Sequence, residues 1–324
     1  MRAQRILITG ADGFLGRGLV AALAQRPDTA CVVATDVRAV PPERQLPGIV
    51  YRVVDVRDQG LGAVMAEHRI DTVVHLASIV TPGKDSSREI EYAVDVGGTR
   101  NVLSACLAHG VKHLVVSSSG AAYGYHPDNA DWLSEDHPLR GHPAFAYADH
   151  KRQVEEMLAE ARSNHPTLAQ TVLRIGTILG ERVDNQITAL FEKPRPIAIA
   201  GSDSPFVFIW DDDVIGALLH ALSGDAPEGC FNLAGDGALS IHDIAARLGK
   251  RARVLPAPLL RLALTVGRAL GVSRYGPEQL DFLRYRPVLR NSALKNRFGY
   301  VPKKTSAEAF DAFVAARRAQ GRPL

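Results

Sequence analysis

Tyr147 and Lys151 stand four residues apart in Tyr147-Ala148-Asp149-His150-Lys151, a spacing that puts a phenol and an ammonium on one face of a helix. A phenol with its ordinary pKa of about 10 is a poor base at neutral pH, and an adjacent cation favours the phenolate and lowers that value. A phenol tuned in this way exchanges a proton with an alcohol or carbonyl oxygen. Upstream, the apolar run Leu114-Val115-Val116 ends in Ser117-Ser118-Ser119. Those hydroxyls fall at the carboxyl edge of a strand, where open α/β sheets bind their ligands.

The elements that must hold these groups begin at the N-terminus. Ile6-Leu7-Ile8-Thr9-Gly10-Ala11-Asp12-Gly13-Phe14-Leu15-Gly16 reads as strand, tight turn and helix. Gly10 permits the turn, Gly13 lets backbone approach a ligand, and Gly16 lets the helix pack against the strand. The free N–H groups at such a helix start favour a pyrophosphate. The next apolar run, Cys31-Val32-Val33-Ala34-Thr35, ends in Asp36, at the distance where an acid meets the ribose hydroxyls of a dinucleotide. The carboxylate accepts from a 2′-hydroxyl and repels a 2′-phosphate, so NAD is expected rather than NADP, although Arg38 close by leaves room for NADP. An oxidised nicotinamide beside Tyr147 would add to the effect of Lys151.

Apolar strand patterns over 6–9, 32–35, 50–54, 72–76, 113–117 and 171–175 alternate with helical patterns over 16–25, 60–68, 90–109 and 147–163. The fold class that follows is α/β, a doubly wound parallel sheet of the Rossmann type. Residues 1–178 are read as an NAD-binding domain and 179–324 as a mainly substrate-binding portion, with segments near 206–235 returning to the first domain. After Gly180 the chain is rich in Pro and Gly. Phe206 to Ala221 reads as strand then helix, and Ser240 caps a helix with Asp243 three residues on. The apolar stretch 256–271, interrupted by Arg261 and Arg268, is too short and charged to span a bilayer. It is expected either to pack on the second portion or to wall the substrate.

The chain of 324 residues is 46% hydrophobic and 23% charged, the composition of a globular enzyme. A net charge of +3 with bases and acids interspersed argues against nucleic acid as a partner. Lys303, Lys304, Arg317, Arg318 and Arg322 read as a solvated surface. Cys31, Cys106 and Cys230 lack paired spacing, so they read as small buried hydrophobes, with neither disulfide nor metal implied. The first strand pattern starts too early to leave space for a signal peptide, so a cytoplasmic location is expected.

Taken together these motifs resemble the extended short-chain dehydrogenases/reductases, specifically the NAD-dependent epimerase/dehydratase family. The resemblance rests on Thr9 to Gly16, Asp36, Asp55-Val56, His75-Leu76-Ala77-Ser78, Gly98 to Leu103, Ser117 to Gly124, Tyr147 to Lys151, Leu173-Arg174 and Phe231 to Gly235. It implies Ser119 as the hydroxyl that binds the reacting oxygen, Tyr147 as general acid/base, and Lys151 as the group that tunes Tyr147 and binds the nicotinamide ribose. It also implies NAD held by Gly10, Gly13, Phe14, Leu15, Gly16 and Asp36, with Asp55 and Val56 at the adenine and Leu76, Ala77 and Ser78 along the cofactor. Asp95 stands where the family often has Asn. The helices over 90–109 and 147–163 commonly pair in a homodimer.

Dehydratases of the family carry an Asp-Glu pair after the catalytic hydroxyl residue; Gly120 and Ala121 occupy those places here. UDP-sugar epimerases use an Asn and an Arg to hold the diphosphate, at places that correspond to Thr177 and Phe206. The first expectation is therefore an oxidoreductase passing hydride between nicotinamide and a secondary alcohol or ketone of partly apolar character. A UDP-hexose-type 4-epimerase is the alternative, with Arg174, Arg195, Arg284, Arg286 and Arg290 as phosphate ligands. A third reading is a non-catalytic NAD-binding regulator.

Overall fold

The computed structural model describes residues 4–27, 29–83, 86–223, 227–271 and 276–324. The chain opens with β1 (Gln4–Thr9), α1 (Phe14–Ala24), β2 (Thr29–Asp36), β3 (Ile49–Val53), α2 (Gly60–Glu67) and β4 (Thr72–His75). Next come α3 (Arg88–Tyr92), a π-helical turn over Ala93–Gly97, α4 (Gly98–Ala108), β5 (His113–Ser119), α5 (Ala146–Asn164) and β6 (Ala169–Ile175). The later part contributes β7 (Thr177–Leu179), α6 (Thr188–Phe191), β8 (Ile197–Ile199), β9 (Phe208–Trp210), α7 (Asp211–Ala221) and β10 (Gly229–Leu233). It closes with α8 (Ile241–Arg247), β11 (Arg253–Leu255), α9 (Ala257–Ala269), α10 (Gln279–Arg284) and α11 (Ser306–Ala319).

Seven parallel strands form the central sheet in the order β10-β6-β5-β4-β1-β2-β3. Because side chains alternate faces along a strand, Ile6 and Ile8 enter a core with Leu19, Leu23, Val214 and Leu218, and Leu7 enters the opposite one with Met65, Val102, Val154 and Leu158. Both faces are covered by helices, which is why the strands read as continuous apolar runs. The strand order reverses between β1 and β4, and that reversal opens a crevice at their carboxyl ends.

Helix α5 is anchored by Val154, Leu158 and Ala161, all buried against the sheet. Each of the larger two contributes about 1.5–3 kcal/mol by burial. Leu158→Ala would cost about 2–5 kcal/mol and loosen the helix that carries Tyr147 and Lys151. The helix expected over 90–109 is interrupted by the π-helical turn, whose extra residue turns Asp95 into the interior, where it is 3% exposed.

The second portion is built on an aromatic cluster of Phe191, Phe206, Phe208, Trp210, Phe310 and Phe313. Ser240 and Asp243 form the capping box expected for α8, and Thr305 and Glu308 form another for α11. Two expectations need correction. Arg317 is no surface residue: it is 1% exposed, because α11 lays it against Glu192, which it meets at 2.8 Å. Nor does α9 pack like an ordinary core helix, since none of its residues is buried. Of the cysteines only Cys106 is fully buried, and burial pushes its thiol up to about 12. No helix among the described residues is long and apolar enough to cross a membrane.

Candidate active site

The carboxyl ends of β1, β4 and β5 bring together residues that lie far apart in sequence. At β1, Gly10 has φ +68°, and a Cβ there would stand 2.8 Å from the backbone of Ala77. A Cβ on Gly16 would stand 2.2 Å from the Gly10 carbonyl oxygen, so only glycine lets α1 start this close to the strand. Gly13 is the N-cap of α1 and no side chain caps the helix, which leaves the N–H groups beside Phe14 and Leu15 for a ligand. Asp36 accepts from the Asp12 N–H at 2.9 Å, which holds its carboxylate at this turn. An open helix start, a turn with no room for side chains and a carboxylate at the end of β2 fit the pyrophosphate and ribose of NAD.

Farther along, Asp55 is held below the usual carboxylate range by the Arg57 guanidinium, which bonds it at 2.9 Å. Val56 is buried against Gly98, where a Cβ would come within 2.6 Å of its methyl group. Leu76 and Ala77 follow β4 beside Gly10. Ser78 donates to Asp95 at 2.9 Å, as does the Ile79 N–H, and His150 meets the other carboxylate oxygen at 3.1 Å. Burial works against the Asp95 charge. His150, Lys151 and these two donors outweigh it and hold the carboxyl below its ordinary value. Beneath them His75 bridges Thr9 at 2.7 Å and Thr99 at 2.9 Å, and burial pushes it down to about 3.

Ser119, Tyr147 and Lys151 converge. Ser119 ends β5, and its Oγ accepts from the Ala121 N–H at 3.2 Å. Lys151 Nζ lies 5.5 Å from the Tyr147 ring centre and donates to the Ser117 carbonyl at 2.9 Å. Burial pushes Tyr147 up to about 12, against the pull of its hydrogen bond with Ser119. Lys151 is itself lowered by burial, against the pull of Asp95 and Glu155.

Four aromatic groups wall the space beside Tyr147. Tyr125 packs edge-on against Phe145 at 5.0 Å and Phe282 at 5.3 Å, and His142 joins at 5.0 Å from Phe145. No local pattern pointed to this wall, because Phe282 arrives on α10 from the far end of the chain. Arg286 follows it. Its guanidinium lies 3.7 Å above the Phe206 ring and donates to the Ser204 carbonyl at 2.6 and 3.2 Å. It forms no ion pair with any described residue. Burial among these rings pushes it down to about 9, partly offset by Tyr125. Some of its surface still meets solvent.

The other candidate cations are placed elsewhere. Arg174 is committed to Glu155 at 2.8 Å and to Tyr123 at 2.7 Å, so it is not a free phosphate ligand. Arg284 stacks on Tyr285 at 4.8 Å, and Arg195 and Arg290 are exposed. Phe206, which stands where UDP-sugar epimerases have an Arg, lies under the Arg286 guanidinium.

Residues 6–234 match the family described as NAD dependent epimerase/dehydratase. An uncharacterised protein of Mycobacterium tuberculosis is 27% identical over 322 residues, covering 96% of this chain and 84% of that protein. The N-acetyl-alpha-D-glucosaminyl-diphospho-ditrans,octacis-undecaprenol 4-epimerase of Escherichia coli O157:H7 is 35% identical over 184 residues, 55% of this chain and 50% of that protein. Among solved structures, UDP-glucose 4-epimerase of Thermus thermophilus in complex with NAD superposes with a TM-score of 0.71 at 26% identity, covering 97% of this chain and 99% of that one.

Proposed function

The chain belongs to the NAD-dependent epimerase/dehydratase family, whose members are NAD enzymes, and we propose that within it the protein epimerises a sugar carried on a diphosphate. The observation that carries this reading is Arg286, a guanidinium beside Tyr125 and Phe282 that no carboxylate among the described residues answers. An uncompensated cation there calls for an anionic ligand, and a planar fork suits a diphosphate. Two relatives point the same way, since the names of both describe 4-epimerases of diphosphate-linked sugars.

In this reading Ser119 and Tyr147 bind the reacting hydroxyl, and Tyr147 gives or takes its proton. NAD held by these residues would supply a hydride acceptor and donor, which would allow a change of configuration without net oxidation. Lys151 orients the nicotinamide ribose, and the glycines of β1–α1 hold the pyrophosphate. The rings of Tyr125, Phe145 and Phe282 exclude water from the reacting carbon. The same apolar wall supports a second reading, a net dehydrogenase of a secondary alcohol. The regulator reading is set aside, because the family is one of enzymes.

Incubation with NAD and either UDP-hexoses or prenyl-diphosphate N-acetylhexosamine, followed by direct product analysis, separates the two. An accumulating epimer at constant nicotinamide absorbance is expected. A net absorbance change with a secondary alcohol, and no epimer from any sugar, would establish the dehydrogenase instead. We further propose a homodimer through α3, α4 and α5, supported by Ile90 and Tyr92, which are 44% and 40% exposed. Light scattering should give twice the chain mass of 34.9 kDa.

A further inference from the structure

The unburied helix α9 carries a stripe of large aliphatic side chains facing away from the protein. Leu259, Leu262, Val266 and Leu270 are 62%, 61%, 46% and 72% exposed. Their spacing of three and four residues puts them on one side of a helix about 20 Å long. Leu260 and Leu264, half a turn away, are the better-covered leucines. The strand before it extends the exposed apolar surface: Val254 is 53% exposed, and Ile197 on its partner strand is 43% exposed.

The segment that carries this stripe has charge of one sign. From Lys250 to Gly271 the chain has five basic residues, Lys250, Arg251, Arg253, Arg261 and Arg268, and no acidic one. Arg268 is answered by Glu278 at 2.9 Å. Arg251, Arg253 and Arg261 meet no carboxylate among the described residues. A protein partner's apolar groove would match the leucines but would leave unanswered the three guanidiniums that the same strand and helix carry. An anionic bilayer surface answers both: the aliphatic side chains enter the acyl boundary, and the arginines of β11 and α9 are drawn by the negative surface potential within a Debye length of it.

The place of α9 adds a reason. It packs on α10, whose Phe282 forms part of the wall around Tyr147, so the stripe lies one helix from the site. The faces of α3 to α5 that would pair two copies belong to other elements.

We propose that α9, with the basic strand β11 before it, docks the enzyme on an anionic lipid surface, from which the site draws a lipid-carried sugar diphosphate. The second half rests on the diphosphate-sugar reading above; the docking does not. The full-length protein is sedimented with vesicles of phosphatidylcholine, alone or mixed with phosphatidylglycerol. It should pellet with the mixed vesicles and stay in solution with the neutral ones. Leu262→Glu combined with Val266→Glu, and separately Arg251→Ser combined with Arg253→Ser and Arg261→Ser, should each weaken binding by about tenfold or more at an unchanged thermal midpoint. Failure of the wild type to pellet, or pelleting of the glutamate variant like wild type, overturns docking. So does a glutamate variant whose light-scattering mass falls to half, which would assign the stripe to a second copy.

For the substrate half, prenyl-diphosphate N-acetylglucosamine is embedded in the mixed vesicles. The glutamate variant should raise KM for it by about tenfold with kcat unchanged, and leave KM for a UDP-sugar alone. Equal KM values for wild type and variant on the embedded sugar overturn that half. No epimerisation of any sugar refutes the epimerase reading and the substrate half with it, while sedimentation still judges docking.

Discussion

Replacing Arg286 by Met should make the ligand-free protein more stable and its diphosphate binding far weaker. The fall of the guanidinium from 12.5 to about 9 corresponds to about 5 kcal/mol held against the charged form. That cost is fully present below pH 9 and fades only as the group loses its proton above it. Part of it returns on substitution. Met surrenders the stacking on Phe206, worth about 1 kcal/mol, and the forked charge-assisted bond to the single Ser204 carbonyl oxygen, worth about 1.5–3 kcal/mol, so a net gain of about 1–2 kcal/mol is expected. Binding moves the other way. Two charge-assisted hydrogen bonds to a diphosphate are worth about 1.5–3 kcal/mol each, so Kd should rise by about two to four orders of magnitude. Denaturant unfolding without ligand gives the first quantity, and calorimetric titration with UDP or pyrophosphate gives the second. Arg286→Lys should fall between, because it keeps the charge and loses the fork. A Met variant that loses stability and binds UDP as wild type does would make Arg286 a structural residue and remove the main support for the diphosphate reading.

Tyr147→Phe should leave NAD affinity intact and lower turnover by about two to four orders of magnitude; unchanged turnover removes Tyr147 from the chemistry. Gly16→Ala places a Cβ 2.2 Å from the Gly10 carbonyl oxygen, so it should cost about 1–3 kcal/mol despite alanine's better helix propensity and weaken NAD binding, read by thermal shift with and without cofactor. Acid should also destabilise the protein. His75 is held down to about 3, so the folded chain refuses a proton that the unfolded chain takes below its ordinary 6.5. Stability is intact above that pH, and about 3 kcal/mol is lost on going to pH 4.5. His75→Gln should remove most of that slope; parallel pH profiles for the two proteins would exclude His75 as its source.

Much of the site was legible because its signals are local. The turn Gly10 to Gly16 is dictated by backbone sterics over a few residues, and the Tyr147–Lys151 spacing by one helical turn. The alternation of strand and helix patterns predicted a parallel sheet, since strands covered on both faces must be apolar throughout. Asp36 followed from where the second strand ends.

What lay beyond the sequence depends on contacts between distant segments and on burial, which has no linear pattern. The burial that raises the Tyr147 phenol comes from segments far apart in the chain and has no mark in the five residues from Tyr147 to Lys151. Arg174 and Arg286 are chemically equal on paper; only the fold gives one a carboxylate and the other a phenyl ring. Phe206 counted against a diphosphate until Arg286 was placed above it. In α9 the hydropathy pattern showed an apolar helix and left open what covers it, because exposure belongs to the packed molecule. Local signals suffice for the glycine turn Gly10 to Gly16 and for placing Tyr147 and Lys151 on one helical face, because each is set within a single turn. Tertiary structure alone decided protonation, the free cation and the outward leucines, since each depends on which distant groups exclude water.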